Sequence, residues 1–261
     1  MEVRFFGQAP AAVRSVEVTG GNWRVPEEIP VAFVYNGRNY AVMLASPADL
    51  SDFAVGFSLT ERVVDHADEI VSIDIDQRER GAEIRLSIAP DRIERFDIRQ
   101  KRRNLAGRAG CGVCGLENAE TFFETLPRIA GTRLELDGAA LNRAYEALQA
   151  FQPLNAATRS VHAAAWATLG GEIHHAREDV GRHNALDKLL GALALASVDR
   201  GKGFVLMSSR CSYEIIEKAA RLGVPAVASI SAPTAFAIRK ADEANIAIYA
   251  RSGDGFVRVG Q

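Results

Sequence analysis

Two of the chain's three cysteines, Cys111 and Cys114, stand in the stretch AGCGVCGLE. Gly110, Gly112 and Gly115 surround them, so the backbone can turn sharply and little bulk covers the sulfurs. Arg99, Lys101, Arg102, Arg103 and Arg108 precede the pair. Positive charge favours the thiolate, the reactive form of cysteine. The spacing leaves four readings open: half a zinc site, a redox disulfide, a structural loop, or a sulfur nucleophile. A structural zinc site needs four ligands, and a second CxxC is missing. A thioredoxin-like pair opens a helix after a strand, and the flanks here differ. A thiolate that accepts sulfur as a persulfide, with a second thiol to release or receive it, suits so bare a loop.

A second group of candidates lies in EDVGRHNALDK, residues 178–188, where Asp179, Arg182 and His183 gather around Gly181 at a helix start. Free amides and the positive dipole end suit an anion there. His183 has the chemistry of an acid, a base or a ligand donor. The competing reading is a helix cap, with His183 satisfied by Asp179 or Asp187. Ser208, Ser209 and Arg210 follow an apolar strand, and so do Ser231, Pro233 and Thr234. Such hydroxyl-bearing turns cradle phosphates or a purine edge, or simply cap helices. Neither of these two turns is GxxxxGK[ST] or GxGxxG, so a standard ATPase or dinucleotide reading fails there. His162, in an apolar setting, reads as a hydrogen-bonded core histidine, and Cys211 as a small core residue.

The elements that must position these residues follow from periodicity. Val13 to Val18 partly alternates, and two apolar segments flank Asn36-Gly37, a hairpin dipeptide, between Val31 and Leu44. A largely apolar helix follows over 50–59, with Ser46 as its cap and Pro47 in its first turn. Ile70 to Ile75 and Ile84 to Ile88 predict a second hairpin around Gly81. Residues 139–150, 156–168 and 183–196 read as helices, and 172–176 as a short strand. Strands over 204–208, 226–230 and 245–250 alternate with helices over 213–222, closed by Gly223, and from Pro233. That rhythm predicts an α/β layer with a partly parallel sheet. Ligands in such sheets sit beyond the carboxyl ends of the strands. The expected organisation is an α+β unit over 1–98, a connector with the cysteine loop over 99–134, and an α/β domain over 135–261.

With 261 residues, 48% hydrophobic, 25% charged and a net charge of -2, the chain has no global field for nucleic acid or membrane. The start MEVRFFGQAP lacks a signal-peptide core. Three cysteines are too few for a disulfide scaffold, so a reducing cytoplasm is the expected compartment.

CGVCG (111–115), EDVGRHNALDK (178–188), SSRCSYEIIEKAA (208–220) and SISAPTAFAI (229–238) together resemble the FdhD family. LASPADLSDFAVGFSLTE (44–61) is similar to its N-terminal segment, and the likeness runs over about residues 25–259. The resemblance implies an accessory sulfurtransferase. Such a protein takes sulfur from a cysteine desulfurase and passes it to the molybdenum bis(guanine dinucleotide) cofactor of formate dehydrogenase. It implies Cys111 as the persulfide carrier with Cys114 as the second cysteine, and a cytidine-deaminase-like C-terminal layer. It also maps a guanine-nucleotide region to Tyr249, Ala250, Arg251 and on to Phe256. A GDP-like nucleotide fits the same place. The expected cofactor contacts are therefore Asp179, Arg182, His183, Ser208, Arg210, Ser231, Thr234, Tyr249, Ala250, Arg251 and Phe256. The arginines supply charge, and Tyr249 or Phe256 a stacking face. No resident metal is expected. The partners are a cysteine desulfurase, formate dehydrogenase and, as an option, a second copy of the chain. The deaminase zinc signature is missing, since Ala164 stands where the glutamate after His162 would be. The alternatives are a non-catalytic chaperone that delivers the cofactor and a metal-dependent nucleoside hydrolase. One departure from the family pattern is TERVV (60–64), where a glycine usually follows the glutamate.

Overall fold

The computed structural model describes residues 1–92 and 125–260. Cys111, Cys114, the basic run before them and the helix expected through Phe122 and Phe123 lie outside the described residues. In chain order the strand β1 (Glu2–Gly7) is followed by the hairpin β2 (Val13–Val18) and β3 (Gly21–Pro26). Next come β4 (Ile29–Tyr35), β5 (Arg38–Ala45), helix α1 (Leu50–Thr60), β6 (Ile70–Arg78) and β7 (Gly81–Ile88). Asn36 and Gly37 join β4 to β5, both at positive φ, as a tight hairpin turn of this hand requires. Five of these strands form a mixed sheet in the order β1-β6-β7-β4-β5, and β2 and β3 form a two-stranded sheet of their own. Alternation buries Ile73, Ile75, Ile84 and Leu86 beneath α1, while Asp74, Asp76 and Arg85 lie on the other face among ion pairs.

The second half runs α2 (Gly138–Leu148), α3 (Pro153–Thr158), β8 (His162–Thr168), β9 (Ile173–Asp179), α4 (Arg182–Leu195), β10 (Gly203–Met207) and α5 (Tyr213–Arg221). It ends with β11 (Ala226–Ser229), α6 (Ala235–Ala244), β12 (Ala247–Ser252) and β13 (Gly255–Val259). The six-stranded sheet has the order β13-β12-β11-β10-β8-β9. Its centre, β10, β11 and β12, is parallel, and the flanking pairs are antiparallel. The α/β class and the partly parallel sheet expected from sequence are both present.

Two local expectations need correction. The helix read over 156–168 is the short α3 followed by a strand, β8. Alanine favours helices in isolation, but here Ala163, Ala165 and Ala167 face α2 while Ala164 and Trp166 face the opposite layer. A strand covered on both faces suits small apolar residues in a continuous run. Ser46 does not cap α1. The N-cap is Asp49, in the left-handed region and without a side-chain cap bond. Arg62, where the resemblance leads one to expect a glycine, has φ 56, a conformation that glycine adopts without strain.

The two sheets share one core. Helix α1 lies on the five-stranded sheet, α4 lies on the six-stranded sheet, and the two helices cross in backbone contact. A Cβ on Gly56 would stand 1.7 Å from the Asp187 carbonyl oxygen, and one on Gly191 would stand 1.9 Å from that of Asp52. Helix α5 is tied to the same crossing. The Lys218 ammonium reaches both Asp187 oxygens at 2.8 Å, and the Thr60 hydroxyl donates to Asp187 at 2.8 Å. On the opposite face of the six-stranded sheet, α2 covers a second apolar cluster that includes Phe204, Leu206 and Tyr249.

Candidate functional site

Strands β9, β10, β11 and β12 deliver their carboxyl ends to one edge, and β8 begins there, with His162 paired to Asp179. Helices α4, α5 and α6 all start from this rim. Their positive dipole ends therefore gather in one place. No side chain caps α4 at Gly181. Arg182 opens α4, and its buried Nε has no hydrogen-bond partner among the described residues. Among the described residues Arg182 makes no ion pair. His183 follows it, with Nε2 3.0 Å from Glu214 Oε2 in the first turn of α5. The Ser212 hydroxyl donates to the same Glu214 oxygen at 3.1 Å and lies 3.5 Å from His183 Nε2. His162 completes the group. Burial first, and then the Arg182 and His183 charges, hold its imidazole below the usual pKa.

Asp179 belongs to the framework beneath this group. It is sealed from solvent, and so is Lys188, whose ammonium lies 2.6 Å from Oδ2. Oδ2 also accepts from Ser46 N–H at 2.9 Å. Oδ1 accepts from Gly181 N–H at 2.8 Å and from Asn184 Nδ2 at 3.0 Å. Ser46 returns the link: its hydroxyl accepts from Val180 N–H at 3.2 Å, and its carbonyl takes Lys188 at 3.0 Å. The residue expected to cap a helix thus ties the β5–α1 turn to the β9–α4 turn.

The other expected contacts divide between the rim and the opposite face. The Ser208 hydroxyl accepts from Ala163 N–H at 2.8 Å and extends the β8–β10 pairing. Arg210 and Ser231 are exposed on the rim, and Ser231 offers its carbonyl to the Ser229 hydroxyl at 2.7 Å. Thr234 caps α6, accepting from Ala237 N–H at 3.2 Å. Ala250 is buried and paired with Ser229. Tyr249 is not a stacking platform: its ring is 5% exposed, among the residues under α2, and its hydroxyl accepts from Leu136 N–H. Arg251 also turns to the α2 face, with its guanidinium carbon 3.8 Å from the Tyr145 ring centroid and 5.8 Å from that of Phe256. The alternation of β12 puts Tyr249 and Arg251 on one face of the sheet, across from the helix starts at Arg182 and Tyr213. Cys211 is fully buried, and desolvation pushes its thiol up to about 12, so it carries no thiolate near neutral pH.

Sequence reasoning missed Glu214 and Ser212. An acid in the first turn of a helix is ordinary dipole chemistry, so the order Ser-Tyr-Glu carries no site signal until α4 and α5 lie side by side. Among the described residues there is no group of three or more His, Cys, Asp or Glu side chains placed to hold a metal ion. No helix among them is long and apolar enough to cross a membrane.

The chain is 49% identical over 232 residues to a sulfur carrier protein FdhD of Xanthomonas oryzae, covering 88% of this chain and 82% of that one. It is 47% identical over 236 residues to the protein of that name from Cupriavidus necator, covering 90% and 79%. A crystal structure from Desulfotalea psychrophila, described as a formate dehydrogenase accessory protein, has the same fold, with TM-score 0.70, 22% identity and 95% of each chain covered. The FdhD/NarQ family model matches residues 26–258, a span from β4 into β13 that takes in the cysteine pair and the whole rim, and the chain is a member of that family.

Proposed function

We propose that this chain is a sulfurtransferase for formate dehydrogenase maturation. It receives sulfur on Cys111 from a cysteine desulfurase and passes it to the molybdenum bis(guanine dinucleotide) cofactor bound at the rim. The observation that carries the reading is the buried Arg182 Nε at the start of α4, without a hydrogen-bond partner among the described residues, beside His183 and the starts of α5 and α6. A dinucleotide with several phosphates is the kind of substrate such a place holds. In the first step, the Cys111 thiolate attacks the outer sulfur of the desulfurase persulfide, and the desulfurase cysteine leaves as a thiolate. In the second, Cys114 either takes the outer sulfur as a persulfide, with Cys111 leaving as a thiolate, or attacks the inner sulfur of the Cys111 persulfide. In both cases the two cysteines close to a Cys111–Cys114 disulfide, and the outer sulfur leaves as hydrosulfide, reduced by their two electrons, towards the molybdenum centre. Arg182 and the helix amides hold phosphate, and His183 orients the substrate or moves a proton. We further read the six-stranded sheet as a cytidine-deaminase-like layer and the reducing cytoplasm as the compartment. The partners are the desulfurase and the formate dehydrogenase.

Titrating GDP and ADP against the wild type, Arg182→Ala and Arg251→Ala tests the nucleotide half of this reading. GDP should bind better than ADP. Arg182→Ala should weaken GDP about tenfold or more, since a charge-assisted contact is worth roughly 1.5–3 kcal/mol. Arg251→Ala, on the far face of the sheet, should change it little. Equal binding of both nucleotides, unmoved by Arg182→Ala, would take the cofactor site away from this rim.

A further inference from the structure

We propose that Glu214 is the positioning residue for His183, holding its ring by Nε2 so that Nδ1 is the nitrogen left to meet the substrate. The inference rests on the rim as substrate site and deepens it. The two residues occupy the same place on neighbouring helices: His183 is the second residue of α4, and Glu214 is the second of α5. Their side chains are 19% and 15% exposed, so the contact is largely desolvated. Nε2 lies 3.0 Å from Glu214 Oε2. Ser212, the N-cap of α5, donates its hydroxyl to that same oxygen at 3.1 Å. The carboxylate is therefore held from two sides, and the start of α5 favours its charge. A histidine whose Nε2–H is given to a carboxylate keeps one ring orientation. Among the described residues no hydrogen bond reaches Nδ1. Arg182 and His183 stand close enough to His162 for their charges to lower its pKa, and among the described residues no carboxylate but Glu214 pairs with the His183 ring. Glu214 thus plays the part for His183 that an orienting acid plays for a catalytic base.

Two readouts separate this role from a merely structural one. In protein labelled with 15N-histidine, the His183 Nε2–H should give a slowly exchanging ring proton. Glu214→Ala should lose it. Glu214→Gln, which keeps an acceptor oxygen, should retain it. In a double-mutant cycle on GDP affinity and sulfur delivery, Glu214→Ala should cost about tenfold in the wild type and almost nothing in a His183→Ala background. Glu214→Gln should recover part of the loss. Independent, additive losses from the two substitutions would overturn the proposal. So would a protected ring proton that survives in folded Glu214→Ala. If His183→Ala alone bound GDP and delivered sulfur like the wild type, the positioning role would fall with the rim reading. A protected ring proton in the unsubstituted protein would then show that the rim reading failed and the pairing did not.

Discussion

Two acid–base pairs meet at the start of α4, and they differ in what surrounds them. Asp179 and Lys188 are sealed, and each Asp179 oxygen takes two donors. His183, in the first turn of α4, and Glu214, in that of α5, are partly exposed, and among the described residues one His183 ring nitrogen neither accepts nor donates a hydrogen bond. The first pair joins the β9–α4 turn to Ser46 and through it to the N-terminal sheet. The second stands on the rim where the helix starts converge. Burial separates them: a saturated ion pair holds the chain, and a partly exposed one stands on the rim proposed to meet the substrate.

The largest effect should come from breaking the sealed pair. Asp179→Ala leaves the Lys188 ammonium buried and unpaired, which should cost about 3–5 kcal/mol in urea unfolding. His183→Asn should stay within about 0.5 kcal/mol of the wild type in the same assay while GDP binding falls about tenfold. Loss of stability in both variants, or in neither, would erase the distinction between framework and site.

The smallest effect is a pH dependence beside the open pair. His162 is held below the usual imidazole pKa, chiefly by burial and further by the Arg182 and His183 charges. Between the usual value and the lowered one, the unfolded chain binds the proton and the folded chain resists it. Stability from this group is therefore present above the usual value and is lost as pH falls through that window. Between about pH 7 and about pH 5, the wild type should lose about 2 °C more in Tm than His162→Gln does. Parallel curves would mean that His162 does not sense the cluster.

The hairpin at Asn36-Gly37, the helix over α1 and the parallel strands β10, β11 and β12 were legible because local chemistry and tertiary structure agree there. The strand β8 was not, because alanine's helix preference is outweighed by layers on both faces, and that is a long-range fact. The rim itself was legible from strand ends bearing serines and arginines. Its sidedness was not: whether Arg251 and Tyr249 face the helix starts or α2 depends on register within β12. Asp179 looked like a ligand because depth is invisible in a motif, and Glu214 looked like helix decoration until α5 was set beside α4.

The central claim is that Cys111 carries sulfur, and intact-protein mass spectrometry after incubation with a cysteine desulfurase and cysteine tests it most directly. The wild type should gain one labile sulfur atom that a reductant removes. The adduct should vanish in Cys111→Ala and persist in Cys211→Ala, whose thiol is buried and protonated in the folded protein. An adduct of the same yield on Cys111→Ala, or none on the wild type, would contradict the account.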